Sequence, residues 1–271
     1  MTEKTTTRAQ DSIGAGTDEP TGAPAFEFDG LTKRFGELTA VDDVRLSIPT
    51  GSFFGLVGPN GAGKTTLLSM AVGLIRPDYG TSRVHGSDVW QEQLAAKTEL
   101  GVLPEAEFLP RRLTGSELLT YVGLLRGMDA TVVRERTLEL LRILDLTGAD
   151  STVVVDYSTG MRKKIALAVA LIHGPRVLVL DEPFESVDPL SAATIRSILN
   201  GFVSTGGTIL FSSHVMPLVE SLCDHVAVLS AGRVVSTGTL DQVRAGRSLD
   251  DAFADLIGAD KSLETLSWFA S

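Results

Sequence analysis

The chain has 271 residues, of which 43% are hydrophobic, and its formal net charge at pH 7 is −10. This length and apolar content can build one substantial core, with or without a small subdomain, without disulfides or metal ions. The negative charge argues against nonspecific nucleic-acid binding, in which Lys and Arg neutralise phosphates, so no nucleic-acid partner is expected. Cys223 is the only cysteine. No intramolecular disulfide can form, so we expect the chain to reside in a reducing compartment. Cys223 is expected to pack as a small buried hydrophobic residue.

The N-terminal segment and the hydropathy pattern give a first expectation of location. Residues 1–24 contain almost no large apolar side chain, which predicts a disordered leader. The start of the chain lacks the pattern of a signal peptide, and no stretch approaches the roughly 18 apolar residues that a membrane span requires. The sequence therefore predicts a soluble, cytosolic chain.

From residue 26 the chain alternates between strand-like and helix-like segments. Phe26 and Phe28, and then residues 44–48, alternate apolar and polar side chains as half-buried strands do. A buried strand is predicted at residues 53–57, followed by a glycine-rich loop and an apolar helix over residues 65–72. The order is strand, glycine loop, helix.

Three further apolar runs predict a mostly parallel sheet that is covered on both faces. They occupy residues 177–180, 208–211 and 226–229 and are separated by helical stretches. The sequence therefore predicts the α/β class.

Between about 105 and 174 the pattern is helical, which predicts an inserted α-helical subdomain. Residues 114–127 and 131–146 have helical spacing, and Leu138, Leu141 and Leu144-Asp145 fit one helix. The only strand signal there is the short run at residues 153–155. A short amphipathic helix is predicted at residues 249–257, before a polar tail.

The glycine-rich loop has the spacing of a phosphate-binding loop. Its glycines allow backbone N–H groups to surround phosphates at a helix N-terminus, Lys64 adds a positive charge, and Thr65 offers a hydroxyl to Mg²⁺. The residues predicted to bind ATP here are Gly58, Pro59, Asn60, Gly61, Ala62, Gly63, Lys64, Thr65 and Thr66.

Two acids follow the apolar run at residues 177–180. Asp181 should lie at the carboxyl edge of the sheet, where it can hold Mg²⁺ through its water shell. Glu182 is a candidate general base for the water that attacks the γ-phosphate.

The segment Tyr157-Ser158-Thr159-Gly160-Met161, upstream of the Asp-Glu-Pro sequence, resembles the signature of ATP-binding cassette (ABC) ATPases. The resemblance covers about residues 26–245. It implies a P-loop NTPase fold with a mostly parallel central sheet, an antiparallel β subdomain and the inserted helical subdomain. The implied domain limits are 1–24 for the leader, 25–245 for the ATPase domain and 246–271 for a helical extension and tail.

The resemblance also implies roles for residues outside the phosphate loop. In this family the signature of one subunit closes over the ATP of another, so Ser158, Thr159 and Gly160 would bind nucleotide across a dimer interface. Phe35 would stack on adenine, although it could instead be a core residue, and Val41 would line the ribose. Ser186 and Asp188 would form the contact between the subunits. His214 would contact the γ-phosphate and act in catalysis with Glu182 and Lys64.

Three departures from the family pattern affect these expectations. Glu105 replaces the glutamine near the metal; it can ligate Mg²⁺ but cannot donate a hydrogen bond as an amide does. Thr159 and Met161 replace a glycine and a glutamine of the signature. The cations at residues 162–164 oppose the dipole of the next helix; they would be solvated surface or would contact the phosphates of the partner's ATP.

The signature variant, the Leu-Pro-Glu loop and residues 248–253 resemble ATPases of the ABC-2 type export group. This resemblance implies ATP and Mg²⁺ as cofactors, a second copy or a paralogous cassette as partner, and a separate membrane permease at the cytoplasmic face of the membrane. Phe108 and Leu109 could line a groove for that permease or pack inside the subdomain. The alternative function is a low-turnover regulatory or soluble ABC ATPase that is not engaged in transport.

Overall fold

The fold is taken from a computed structural model, and the structure describes residues 23–103, 109–149 and 151–258. The predicted leader therefore lies outside the described residues except for its last two, as do Glu105, Phe108 and residues 259–271 of the predicted tail. Within the described ranges, no helix combines the length and the apolar character needed to cross a membrane.

The described residues form strands and helices in an alternating order. The strands are β1 (Phe26–Phe35), β2 (Leu38–Ile48), β3 (Phe53–Val57), β4 (Tyr79–Val84), β5 (Ser87–Asp88), β6 (Leu100–Val102), β7 (Val177–Leu180), β8 (Thr208–Ser213), β9 (His225–Ser230) and β10 (Arg233–Thr239). The α-helices are α1 (Lys64–Ala71), α2 (Gln93–Glu99), α3 (Gly115–Leu125), α4 (Ala130–Ile143), α5 (Thr159–Leu171), α6 (Pro189–Ser204), α7 (Met216–Leu222), α8 (Leu240–Arg244) and α9 (Leu249–Leu256).

The strands assemble into two sheets. The larger has the order β10-β9-β3-β8-β7-β6, and its strands are parallel except for β10, which is antiparallel to β9 at the edge. The smaller sheet, β2-β1-β4-β5, is antiparallel. The α/β fold with a mostly parallel central sheet and an antiparallel subdomain is confirmed.

Successive residues of the central strands contribute to two different cores. In β3, Phe53 and Val57 pack on one side of the sheet, whereas Phe54 and Leu56 pack on the other. The first core also contains residues of α3 to α7, and the second contains α1 and the antiparallel sheet. Because both faces are covered, these strands read as continuous apolar runs.

Helix starts in this chain follow local capping chemistry. The Thr114 side chain accepts from the N–H of Glu117 and the Glu117 carboxylate accepts from the N–H of Thr114, which forms a capping box at α3. Asp188 caps α6, which has proline at its first position. The Asp188 cap fixes the start of α6 next to Gly160, one of the predicted signature residues.

One local prediction in the helical subdomain is wrong. The run at 153–155 is not a strand: Val154–Asp156 form a 3-10 helix, because the Tyr157 N–H donates to the Val154 carbonyl, and only Val153 makes an isolated bridge. Leu138 is 62% exposed, since the buried face of α4 carries Val133, Thr137 and Leu141. Leu144 is buried just beyond the end of that helix.

Candidate active site

The glycine-rich loop connects β3 to α1. Gly61 and Gly63 have φ values of +79° and +101°, a region that favours glycine. A Cβ at Gly63 would also collide with the carbonyl oxygen of Ala40. Both the conformation and the close approach of β2 therefore require glycine at this position.

Lys64 begins α1 with its side chain folded back into the loop. Its Nζ donates to the carbonyl oxygens of Gly58, at 2.8 Å, and Pro59, at 3.3 Å. The side chain is only 8% exposed, and Nζ lies 4.0 Å from Oε1 of Glu182. A buried ammonium at the start of a helix, near a loop of backbone amides, is suited to an anionic ligand.

Glu182 lies between two predicted catalytic residues. Its Oε1 is 3.0 Å from Nδ1 of His214, in addition to its contact with Lys64. The side chain of His214 is 46% exposed, whereas that of Glu182 is 21% exposed. The Glu182 carboxylate and the His214 ring are therefore close enough for one ligand to contact both.

A cavity of about 680 Å³ brings the loop and these side chains together. It is lined by Phe35, Leu38, Thr39, Ala40, Asn60, Gly61, Ala62, Gly63, Lys64, Thr65, Thr66, Glu182, Glu185, His214, Ala231 and Gly232. Phosphate-loop residues, the candidate base and an aromatic residue from the antiparallel sheet therefore share one cavity.

Phe35 is an exposed residue of this cavity and not part of the core. Its side chain is 48% exposed, and Nζ of Lys33 lies 5.5 Å from the ring centroid. Val41 is fully buried and is not among the lining residues, whereas its neighbours Thr39 and Ala40 line the cavity.

The predicted metal site combines Thr65 with Asp181. Both residues line a separate cavity of about 480 Å³ behind the phosphate loop, together with Lys163 and Leu103. A side-chain hydroxyl and a carboxylate, both oxygen donors, thus border one space. Glu105, the third predicted metal ligand, lies outside the described residues.

The signature residues lie at the start of α5, away from the cavity that the phosphate loop lines. Ser158 is exposed and caps α5 by accepting from the N–H of Met161 at 3.2 Å. Thr159 is exposed, and Gly160 is buried. None of the three lines the 680 Å³ cavity of the same chain.

The predicted inter-subunit segment packs against the signature. Ser186 has a φ of +57° and is exposed, while Asp188 accepts from the N–H of Ser191 at 2.9 Å. This hydrogen bond to a backbone amide holds the pKa of Asp188 below its usual value. The Asp188 carboxylate is therefore a fixed negative charge next to Gly160.

The expectation of solvated cations after the signature is wrong. Lys164 is only 5% exposed. Arg162 donates to the carbonyl oxygen of Tyr157 at 2.9 Å, and Lys163 donates to that of Glu182 at 3.1 Å. Arg162 and Lys163 are thus held by carbonyl oxygens of the same chain, and Lys164 is buried.

Two residues close to the acid pair, Glu185 and Ser212, were not predicted from the sequence. Glu185 lines the main cavity; its acidic side chain next to the Asp-Glu-Pro run was a visible signal. Ser212 is fully buried and bonds to both Asp181 and Glu182. A serine that interrupts an apolar run at the carboxyl end of a parallel strand could have identified it.

A phosphate loop at a helix N-terminus, facing an acid pair at the end of a parallel strand, defines a P-loop nucleotide-binding protein. A family model described as ABC transporter matches residues 41–185, more than half of the chain. The chain belongs to the ABC transporter family, as an ATP-binding and ATP-hydrolysing subunit.

Individual relatives agree with this assignment. The chain is 38% identical over 221 residues to the daunorubicin resistance ATP-binding protein DrrA3 of Streptomyces coeruleorubidus, covering 82% of this chain and 70% of that one. It is 38% identical over 215 residues to the Nod factor export ATP-binding protein I of Ralstonia nicotianae, covering 79% and 67%. A solved ATP-binding subunit of an ABC transporter superposes with a TM-score of 0.80 at 29% identity, covering 86% and 99%.

Proposed function

We propose that this chain is the motor subunit of an exporter, in which two cassettes close on ATP and drive a separate membrane permease. The observation that carries the proposal is the position of Glu182 between Lys64 and His214 in a cavity that the same chain's signature does not reach. The site is equipped for hydrolysis but is incomplete in one copy.

ATP is proposed to lie with its phosphates on the loop at residues 58–66 and its base on Phe35. Lys64 can transfer its hydrogen bonds from the carbonyl oxygens of Gly58 and Pro59 to phosphate oxygens, because its Nζ already lies inside the loop. The exposed ring of Phe35 offers a face for stacking on adenine.

Hydrolysis is proposed to use Glu182 as the general base. Its carboxylate would accept a proton from the attacking water as that water bonds to the γ-phosphorus and the bond to the β-γ bridging oxygen breaks. With both ring nitrogens protonated, His214 can donate from Nδ1 to the Glu182 carboxylate and from Nε2 to a γ-phosphate oxygen. The paired histidine also holds the carboxylate in place.

The residues present fit Mg²⁺. Thr65 and Asp181 supply oxygen atoms to one space, and no group of three or more His, Cys, Asp or Glu side chains in the described ranges forms a metal cluster. This donor set suits a hard cation that takes most of its ligands from water and phosphate. When bound, Mg²⁺ would neutralise charge on the phosphates; Glu105 is proposed as a further ligand.

The second cassette is proposed to supply Ser158, Thr159 and Gly160 to the γ-phosphate. The exposed Ser158 lies at the N-terminus of α5, where the helix dipole suits an anion approaching from outside the chain. Leu190 is 73% exposed beside Asp188, which supports a contact between copies there. The partner is a second copy or a paralogous cassette.

An apolar groove on the surface supports the proposal of a membrane partner. Leu74, Leu94 and Leu125 are 72%, 84% and 72% exposed and line one cavity of about 560 Å³. Leu109, in contrast, is 5% exposed and packs in the core, so the groove does not depend on it. We assign this surface to a cytoplasmic segment of the permease, which would hold the chain at the membrane's inner face.

The proposal keeps the domain limits expected from the sequence. Residues 25–245 form the ATPase domain, with the helical subdomain inserted at about 105–174, and residues 246–271 form the C-terminal extension. In support, α9 packs on α7: Leu249 is fully buried, and its N–H donates to the carboxylate of Glu220.

The deciding experiment compares Glu182→Gln with Lys64→Ala. Glu182→Gln should bind ATP normally, lose at least about a hundredfold in hydrolysis, and accumulate an ATP-dependent dimer on gel filtration. Lys64→Ala should weaken ATP binding by at least about tenfold and form no such dimer. Glu139→Gln, an exposed carboxylate on α4, is the control for charge removal.

Near-normal hydrolysis by Glu182→Gln would show that Glu182 is not the general base. Slow ATP turnover by the wild-type chain together with its permease would favour the regulatory alternative. The direction of transport is tested by the adjacent open reading frame. A six-helix membrane protein there supports export, whereas a solute-binding lipoprotein favours import.

A further inference from the structure

One buried hydroxyl connects the two acids of the site. Ser212 is 0% exposed near the end of β8, where the pairing of Leu180 with Phe211 places Asp181 beside it. Its Oγ accepts from the N–H of Glu182 at 2.9 Å and donates to Oδ1 of Asp181. Both hydrogen bonds of this serine are therefore made to the acid pair.

The conformation of Glu182 needs such support. Its φ is +43°, in the left-handed region that side chains other than glycine rarely adopt. Its N–H is held by Ser212, and its carbonyl oxygen accepts from Nζ of Lys163 at 3.1 Å. Strained backbone conformations persist where the surroundings hold them, and here both backbone polar groups are held.

We propose that Ser212 is a positioning residue for ATP hydrolysis, which fixes the orientation of Asp181 toward the metal and of Glu182 toward the attacking water. This role rests on the proposed function of those two acids. It is not a direct role, because Ser212 lines neither the main cavity nor the cavity behind the phosphate loop.

Loss of the hydroxyl has two local consequences. The N–H of Glu182 loses its acceptor, so the left-handed turn is less well held. The carboxylate of Asp181 loses the donor that restrains its rotation. Turnover and metal affinity should therefore fall, while ATP affinity, which depends on the phosphate loop and Phe35, should change little.

Thr208 offers a matched control on the same strand. It is also 0% exposed, and its Oγ1 accepts from the N–H of Gly51 at 2.8 Å, at the other end of β8. Thr208→Val and Ser212→Ala each remove one buried hydroxyl that accepts from a backbone amide. Only the second removal occurs beside the acids.

The experiment uses the full-length chain and measures kcat, KM for ATP, Mn²⁺ affinity with bound ATP by electron paramagnetic resonance, and the thermal midpoint. Ser212→Ala should lower kcat by about tenfold to a hundredfold and weaken Mn²⁺ binding by at least about threefold. Its KM should stay within about threefold. Thr208→Val should lower the midpoint comparably and keep kcat and Mn²⁺ affinity within about twofold.

Ser212→Thr keeps the hydroxyl and should retain kcat within about threefold of the wild type. Ser212→Thr also provides a test of the proposed role if Ser212→Ala does not fold. A folded Ser212→Thr chain that loses tenfold or more, or equal kcat in Ser212→Ala and Thr208→Val, would overturn the role.

Glu182→Gln separates this outcome from failure of the proposed function. If Glu182→Gln is inactive while Ser212→Ala turns over normally, only the positioning role is lost; if Glu182→Gln turns over normally, the assigned base is wrong. Because Ser212 acts through Glu182 as well as through Asp181, the loss of kcat in the double variant should be smaller than the product of the two single losses.

Discussion

The carboxylate of Asp188 lies directly against Gly160: a Cβ added to Gly160 would be 2.5 Å from Oδ2 of Asp188 and 2.5 Å from Oγ of Ser191. The start of α6 thus packs on the start of α5 with no space for a side chain. Because Asp188 also caps α6, it cannot move away without losing that hydrogen bond. The signature at Gly160 and the segment at Asp188, both proposed to contact the partner cassette, are therefore tightly packed against each other within one chain.

Gly160→Ala is expected to disrupt this contact. The extra methyl group should lower the free energy of unfolding by about 1–3 kcal/mol, as overpacking does, and should weaken the ATP-dependent dimer. Gly201→Ala, on α6, is the control, because a Cβ there meets nothing within 4 Å. It should be neutral or stabilising by up to about 1 kcal/mol. Urea unfolding and gel filtration with ATP measure both effects; equal behaviour of the two variants would contradict this tight packing.

The exposed ring of Phe35 makes adenine stacking testable. Phe35→Ala should weaken ATP binding by about 1–2 kcal/mol, the scale of stacking a base on an aromatic side chain, and Phe35→Trp should restore it. Tyr79→Ala is the control, since Tyr79 is 66% exposed on β4 of the same sheet and does not line the cavity. Titration with a fluorescent ATP analogue measures the affinities. Equal affinities for wild type and Phe35→Ala would exclude stacking.

The parts of the site that were predictable are local in sequence. The phosphate loop could be found because its glycines, Lys64 and Thr65 lie within one short segment between a strand and a helix. Asp181 and Glu182 could be found because they terminate a continuous apolar run. In both cases the conformation and the chemistry are encoded in fewer than about ten residues.

The missed parts depend on register between distant segments. Ser212 reaches the acids only because β7 and β8 pair with Leu180 opposite Phe211. Similarly, Thr39 and Ala40 line the cavity and Val41 does not, in a region where the phosphate loop closely approaches Ala40 at Gly63. Single-residue register of this kind exchanges the two faces of a strand and cannot be read from composition or spacing.

Cys223 should be unreactive in the folded chain. Its thiol is 7% exposed, and burial, with the nearby charge of Asp224, raises its pKa, so little thiolate is present at neutral pH. Modification by a disulfide reagent should be at least about a hundredfold slower in native buffer than in denaturant. Because the chain contains one cysteine, the released chromophore reports this site alone. Rapid stoichiometric modification of the native chain would contradict the burial of Cys223.

His173 should make the fold sensitive to mild acid. Its Nε2 lies 2.9 Å from the carbonyl oxygen of Leu100, and its buried Nδ1 has no hydrogen-bond partner among the described residues. Burial lowers the pKa of His173 to about 4, and the charges of Arg126 and Arg136 act in the same direction. The folded chain therefore keeps this imidazole neutral at a pH where the unfolded chain protonates it.

The sign of the effect follows from this difference. Below the ordinary histidine pKa of 6.5, the unfolded chain binds a proton at His173 that the folded chain does not bind. The stability associated with the neutral His173 is therefore complete above pH 6.5 and is lost as the pH falls toward about 4. Allowing for partial solvent access, the wild type should lose about 1 kcal/mol from this group between about pH 7 and pH 5. His173→Gln should reduce the pH dependence of unfolding by that amount, measured by urea denaturation. The pKa of His85 is also lowered by burial, so His85→Gln should reduce the remaining slope further. An unchanged slope in His173→Gln would show that this imidazole can be protonated in the folded chain.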